Sequence, residues 1–179
     1  ISRVIDLTAH EAQGKHLEGT GSMVLDRAQR IAYACLSSRT DLDVLGDFAQ
    51  QLDYEIVAFD AVDKDGMAIY HTNVLMNVGE RLAVICDESI VRDEPREAVL
   101  RSLKQSGHEV LSLSFEQMNA FAGNMLELRA PSGKRLLAMS EQARQSLTGA
   151  QLSVIEANAK IISAPIDRIE ASSGGSVRC

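Results

Sequence analysis

The sequence lacks any apolar run long enough to cross a bilayer. Its longest runs, such as Leu82-Ala83-Val84-Ile85-Cys86, fall far short of the roughly 20 residues that a spanning helix needs. It also lacks a basic cluster. Only 18 Lys and Arg stand against 25 Asp and Glu, a formal charge of −7, and the pI is near 5.1. Phosphate affinity comes from clustered Lys and Arg, so nucleic-acid binding through a basic face is disfavoured. No positively charged leader followed by an apolar stretch marks the chain for secretion. Cysteine is scarce, at 3 residues with no CxxC spacing. That argues against a disulfide framework and a structural zinc site, and fits a reduced, cytoplasmic setting. The HExxH spacing is absent too, so His10, Glu11, His16 and Glu18 do not read as a metal site. Gly19-Thr20-Gly21 is not followed by GK[ST] and no helix is expected to start there, which removes the phosphate-loop reading.

What remains is the balance of a soluble globular domain, 179 residues with 45% hydrophobic and 24% charged. A chain of this length buries roughly two-thirds of its unfolded surface without disulfides or metals. Its ends read as those of an excerpt. Residue 1 is Ile, residues 1–7 look like the end of an apolar strand, and Cys179 directly follows a Gly-Gly-Ser turn.

Periodicity and turn residues predict one unit repeated. Strands are expected at Ser22 to Leu25 and Ile31 to Cys35, a helix at Leu42 to Leu52, and a strand at Glu55 to Phe59. The second pass is Asn73 to Val78, Leu82 to Cys86, a helix at Arg96 to Lys104, and Glu109 to Leu113. The third is Asn124 to Leu128, Arg135 to Met139, a helical region from Glu141 to Ala159, and Lys160 to Ser163, with Gly174 to Cys179 opening a fourth. Ser22, Asn73, Asn124 and Ser176 each begin a unit, at intervals of 51, 51 and 52 residues. Such ββαβ units are too small to bury an apolar face alone and must pack around a common axis or stack in a line. Around a common axis, equivalent positions of every unit would converge at one mouth.

The chemically able residues sit at those positions. Glu18 lies just before Ser22, His71 just before Asn73, and Cys179 just after Ser176. Carboxylate, imidazole and thiolate are the components of nucleophilic catalysis. Each also has a plainer reading. Cys35 and Cys86 end apolar strands and read as buried packing residues. His10, His16 and His108 lie in polar, turn-like surroundings and are expected to be solvated. His71 opens an apolar strand, where a satisfied core histidine is the ordinary case. Glu18 in a glycine-rich turn is ordinarily a solvent-facing turn former. Arg39 reads either as a surface charge or, from its place after the second strand, as a group facing the mouth.

The ordered set Leu17-Glu18-Gly19-Thr20-Gly21-Ser22, Ser38-Arg39-Thr40, His71-Thr72-Asn73, Phe121 to Leu126 and Gly174 to Cys179 resembles the guanidine-modifying, or pentein, superfamily. Within it, the chain is similar to the arginine-deiminase-related, amidinotransferase-like branch that includes citrulline-utilisation hydrolases. The resemblance implies an α/β propeller of five ββαβ units around a pseudo-fivefold axis. Residues 1–179 would be part of a single catalytic domain, with N-terminal units and a C-terminal strand missing. It implies Cys179 as nucleophile, His71 as general acid and base, Glu18 as the acid that holds His71, and Arg39 and Asn73 as substrate-binding residues. It implies hydrolysis of a C–N bond in a guanidino or ureido amino acid through a covalent adduct on sulfur. Amidinotransfer, and a non-catalytic binding role, are the alternatives. No metal or organic cofactor is called for. The expected partner is a small amino acid, with no nucleic acid and no membrane, and a homo-oligomer is allowed. Two departures stand out. Asn73 replaces the Asp of the common His-x-Asp motif, and Gly21 stands in place of the Asp of Glu-Gly-Gly-Asp. An amide cannot form the charge-assisted bidentate pair that a carboxylate offers guanidinium. Another guanidinium-binding carboxylate would come from an N-terminal unit.

Overall fold

The structure, a computed structural model, describes residues 4–179. The first three residues of the expected N-terminal strand lie outside the described residues. Residues 4–7 form no strand and lead into a 3-10 helix at Thr8–Gln13.

Three units of one topology follow. The first comprises the helical turn α1 (Gly19–Ser22), β1 (Met23–Asp26), β2 (Ile31–Cys35), the helix α2 (Leu42–Leu52) and β3 (Glu55–Phe59). The second comprises the helical turn α3 (Thr72–Leu75), β4 (Met76–Val78), β5 (Leu82–Ile85), α4 (Asp93–Gln105) and β6 (Glu109–Ser112). The short helix α5 (Phe115–Asn119) leads to the third: β7 (Leu126–Arg129), β8 (Arg135–Ser140), α6 (Glu141–Ser146), α7 (Gly149–Asn158) and β9 (Lys160–Ala164). The helix α8 (Asp167–Ser173) then carries the chain to Cys179, with no strand in residues 174–179. Each unit is a three-stranded sheet in sequence order. The first two strands pair antiparallel and the third joins parallel to the second, with Met23 opposite Ala34 and Ile31 beside Glu55 in the first sheet. A parallel pair needs a crossover, and the helix of each unit supplies it.

Local chemistry explains the boundaries. Asp41 caps α2, accepting from the backbone N–H groups of Asp43 and Val44. The helix α4 begins at Asp93 rather than the expected Arg96. Pro95 sits in its first turn, where a missing N–H costs nothing, and Asp93 and Glu94 favour the positive helix end. The helical region at 141–159 divides at Leu147. Thr148 there forms a capping box with Gln151 and starts a second helix.

The segments before the first strands differ most from expectation. Asn73 to Leu75 form a helical turn rather than a strand, and a turn also starts at Gly19, where none was expected. The main core is shared by all three sheets through Val24, Tyr33, Val84, Ile85, Met125 and Met139. A smaller cluster of Met23, Ala34 and Leu45 seats α2 on the first sheet. The first strands of all three units line one cavity of about 760 Å³, through Met23, Leu25, Asn77, Val78, Leu126 and Glu127.

Of the histidines expected in solvent, His108 is buried and His10 is only partly exposed. His108 is 7% exposed, its ring nitrogens facing the carbonyl oxygens of Leu103 and Gly79. His10 lies 3.0 Å from a carboxylate oxygen of Asp47. Burial of His108 is possible because both ring nitrogens meet carbonyl oxygens. His16 is exposed, as expected.

Candidate active site

The repeat marks one layer of the molecule. Ser22, Asn73, Asn124 and Ser176 are all buried, at 0%, 2%, 2% and 5% exposure. Burying a polar group costs free energy unless it is bonded, and these residues tie the units together. Thr72 Oγ1 donates to the carbonyl of Ser22 at 2.6 Å and accepts from the N–H of Cys35 at 2.8 Å. Asn124 Nδ2 donates to the carbonyl of Asn73 at 2.9 Å. Ser22 Oγ donates to the Arg39 carbonyl at 2.7 Å and accepts from the Glu18 N–H at 2.8 Å. The Glu18 N–H also points at the Arg39 carbonyl, at 3.3 Å. The turn carrying Arg39 is thereby pinned to the turn carrying Glu18.

This framework brings Glu18 and His71, 53 residues apart, into contact. His71 Nε2 lies 2.7 Å from Glu18 Oε2. The other carboxylate oxygen, Oε1, accepts from Arg39 at 2.6 Å. Glu18 therefore divides its carboxylate between an imidazole and a guanidinium. The Arg39 hydrogen bond first, and the His71 bond second, hold the Glu18 carboxyl below its ordinary value, and the same contact raises Arg39. His71 stands at the N-cap position of α3 in an extended conformation and makes no side-chain cap bond, which leaves its ring to Glu18. Gly21 leaves room for that ring. A Cβ at position 21 would come within 2.9 Å of the imidazole.

The other end of the site is built around sulfur. Gly174, at φ 66°, ends α8 in the left-handed region that glycine enters without penalty. The chain then turns, with the Cys179 N–H donating to the Ser176 carbonyl at 3.1 Å. Ser176 Oγ donates to buried Glu170 at 2.7 Å and fixes that turn. Cys179 is exposed, whereas Cys35 and Cys86 are buried. Burial pushes the Cys35 thiol up to about 11 and the Cys86 thiol up to about 12, which keeps both protonated at neutral pH. Cys179 Sγ lies 3.3 Å from Asn124 Nδ2 and 3.6 Å from Asn73 Nδ2.

The five residues singled out from sequence thus fall into two groups. Glu18, His71 and Arg39 are bonded in one chain, and Cys179 contacts Asn73, two residues beyond His71. Arg39 does not pair with the acidic residues that follow it, Asp41 and Asp43. Asp41 caps α2 and Asp43 pairs with Lys15. The sequence reading gave Asn124, Gly21 and Gly123 no role at the site. The signal for Asn124 was present, since the 51-residue period puts it in register with Asn73. Gly123 allows the close approach beside it, because a Cβ there would sit 2.2 Å from the Val74 carbonyl oxygen.

The sequence model of the family described as N,N dimethylarginine dimethylhydrolase, eukaryotic, matches residues 1–179. Apo ArgZ, an arginine dihydrolase from the ornithine-ammonia cycle in cyanobacteria, has a similar fold. Its TM-score is 0.71 at 18% identity, over 91% of this chain and 24% of that one. The N-terminal domain of ArgZ bound to product has a TM-score of 0.70 at 18% identity, over 91% of this chain and 54% of that domain. SxtG, an amidinotransferase from Microseira wollei in the saxitoxin biosynthetic pathway, has a TM-score of 0.59 at 12% identity, over 89% of this chain and 42% of that one. The chain therefore spans only part of each of these proteins, and at these identities the likeness is one of fold. No curated protein matches the chain.

Proposed function

The chain belongs to the N,N dimethylarginine dimethylhydrolase family of the guanidine-modifying, or pentein, superfamily, and from that premise we propose a cysteine-dependent hydrolase of guanidino or ureido amino acids. The observation that carries this reading is the 2.7 Å bond from His71 to Glu18, beside a Cys179 held by Asn73. In the proposed reaction the Cys179 thiolate attacks the planar central carbon of an arginine-like or citrulline-like substrate. The C–N bond breaks, His71 protonates the departing nitrogen, and the carbon stays on sulfur. His71 then takes a proton from water, whose oxygen attacks the adduct and returns the thiolate. Glu18 orients the imidazole and balances its positive form. Arg39 grips the substrate α-carboxylate with the donors Glu18 leaves open, because a guanidinium fork carries five. The amide of Asn73 meets the substrate's reacting group next to the sulfur. No metal or organic cofactor enters this scheme.

The wider arrangement is part of the same proposal. These residues belong to a single catalytic domain whose units surround a pseudo-fivefold axis. The shared cavity lined by all three first strands supports that reading. The test is a haloacetamidine probe followed by product analysis on the full-length protein. Labelling at Cys179, with amine or ammonia released from arginine, methylated arginines or citrulline, is the expected result. Release that requires glycine and transfers the amidino group to it would convert the reading to amidinotransfer. Unlabelled Cys179 and no turnover would leave a binding protein.

A further inference from the structure

We propose that Asn124 is a positioning residue for Cys179, holding the sulfur in both of its protonation states. The inference rests on Cys179 being the nucleophile of the reaction above. Its carrying observation is that Asn124 uses every face of its amide. One Nδ2–H donates to the Asn73 carbonyl at 2.9 Å and the other to Cys179 Sγ at 3.3 Å. Oδ1 accepts the Arg178 N–H at 3.1 Å and lies 3.6 Å from the same sulfur.

This set of partners fixes which way the amide points. A carbonyl can only accept and a backbone N–H can only donate, so Nδ2 must face Asn73 and Oδ1 must face Arg178. The sulfur, between the two ends, meets a donor and an acceptor. As a thiolate it accepts from Nδ2. As a thiol its S–H turns to Oδ1. Asn73 adds a second, longer amide contact at 3.6 Å. Asn124 is 2% exposed, so its amide is shielded from water and relies on these partners, while the sulfur itself is open to solvent. Its Oδ1 bond also clamps the backbone one residue before the nucleophile. Gly123 makes the placement feasible, since a side chain there would collide with the Val74 carbonyl. The charged group that interacts electrostatically with Cys179 is the Arg178 guanidinium, carried by the backbone that Asn124 clamps.

The experiment is the pH dependence of iodoacetamide alkylation at Cys179, read by peptide mass spectrometry in the full-length protein. It needs no substrate. A moved alkylation profile without turnover would therefore uphold this inference while defeating the reaction proposed above. Asn124→Asp replaces a donor with an anion, and a like charge disfavours the thiolate, so the alkylation midpoint should rise by about one pH unit or more. Asn124→Ala should give a smaller rise, and Asn73→Ala a smaller one again. Asn124→Ser keeps one donor and should recover part of the rate lost in Asn124→Ala. It also serves if the charged variant does not fold. Folded Ala and Ser variants with the parent alkylation profile and a lowered Tm would overturn the proposal, leaving Asn124 a link between units and nothing more.

Discussion

The two halves of the site are made of opposite materials. Around His71 the partners are ionic: one carboxylate is shared by an imidazole and a guanidinium. Around Cys179 the hydrogen-bond partners are neutral: the side-chain amides of Asn73 and Asn124. Exposure follows the same division. The Glu18 and Arg39 side chains are 37% and 54% exposed, while Asn73 and Asn124 are both 2% exposed. Water tolerates charge on the first half, at the cost of making its ion pairs individually weak. Burying a charge costs more than burying an amide, and the two groups that meet the sulfur in the second half are amides. In the proposed reaction, the half that handles protons keeps charges that can respond to a proton, and the half around the sulfur presents amide dipoles.

Removing the proposed nucleophile should have the largest effect. Cys179→Ser is expected to lower kcat by about 10³-fold or more, with the Tm unchanged in a thermal melt. An equal loss in Cys35→Ser and Cys86→Ser would show that folding had been measured instead. On the ionic half, Glu18→Gln keeps the shape and deletes the charge, and kcat should fall on the order of 10²-fold.

Arg39 tests how far the ionic half extends. The Glu18 carboxyl lies below its ordinary value, so its ionic contacts are present above the usual carboxylate range and are lost as pH falls through the depressed value. Activity that depends on Glu18 should persist to lower pH than an unperturbed carboxylate would allow. Arg39→Ala removes the larger cause, which moves that acid limb to higher pH. It should also raise KM roughly tenfold through the lost grip on the α-carboxylate. Arg39→Lys should restore the acid limb but not KM, because a point charge reaches Glu18 and lacks the fork. A normal KM in Arg39→Ala would confine this arginine to holding Glu18.

Two glycines sharpen the same contrast. In Gly21→Ala the new methyl meets the His71 ring, a side chain that can swing away. Activity should fall while the Tm holds. In Gly123→Ala it meets the Val74 carbonyl, which is backbone and cannot swing. That variant should lose about 1–3 kcal/mol in denaturant titration. The smallest effect expected is none: at pH 8 a thiol reagent should leave buried Cys35 and Cys86 unlabelled while Cys179 reacts.

Much of the scaffold was legible before the structure. Ile31–Cys35, Leu42–Leu52 and Glu55–Phe59 match their expected bounds residue for residue, because apolar spacing and an Asp cap are signals carried within the segment itself. The turns that hold the site were not legible. Asn73 to Leu75 run directly into the apolar residues of β4 and read as its beginning. The helical turn found there is stabilised from another unit, by the bonds of Thr72 to Ser22 and Asn124 to Asn73. His108 was misread for the same reason. Its neighbours in sequence are polar, and in the fold it is buried with its ring facing the carbonyl of Gly79, 29 residues away.

By itself, then, the sequence determined the strands, the helices between them and the 51-residue spacing that aligns Ser22, Asn73 and Asn124. Apolar periodicity acts over a few residues and is written in them. Which partner each polar group takes was decided only by the tertiary structure. Glu18 could have stayed a solvated turn former, and Arg39 could have paired with the next acidic residue along the chain. Packing three sheets against one core brought positions 18, 39 and 71 together and placed the sulfur of Cys179 against two amides. Buried polar groups must be bonded to whatever packing sets beside them.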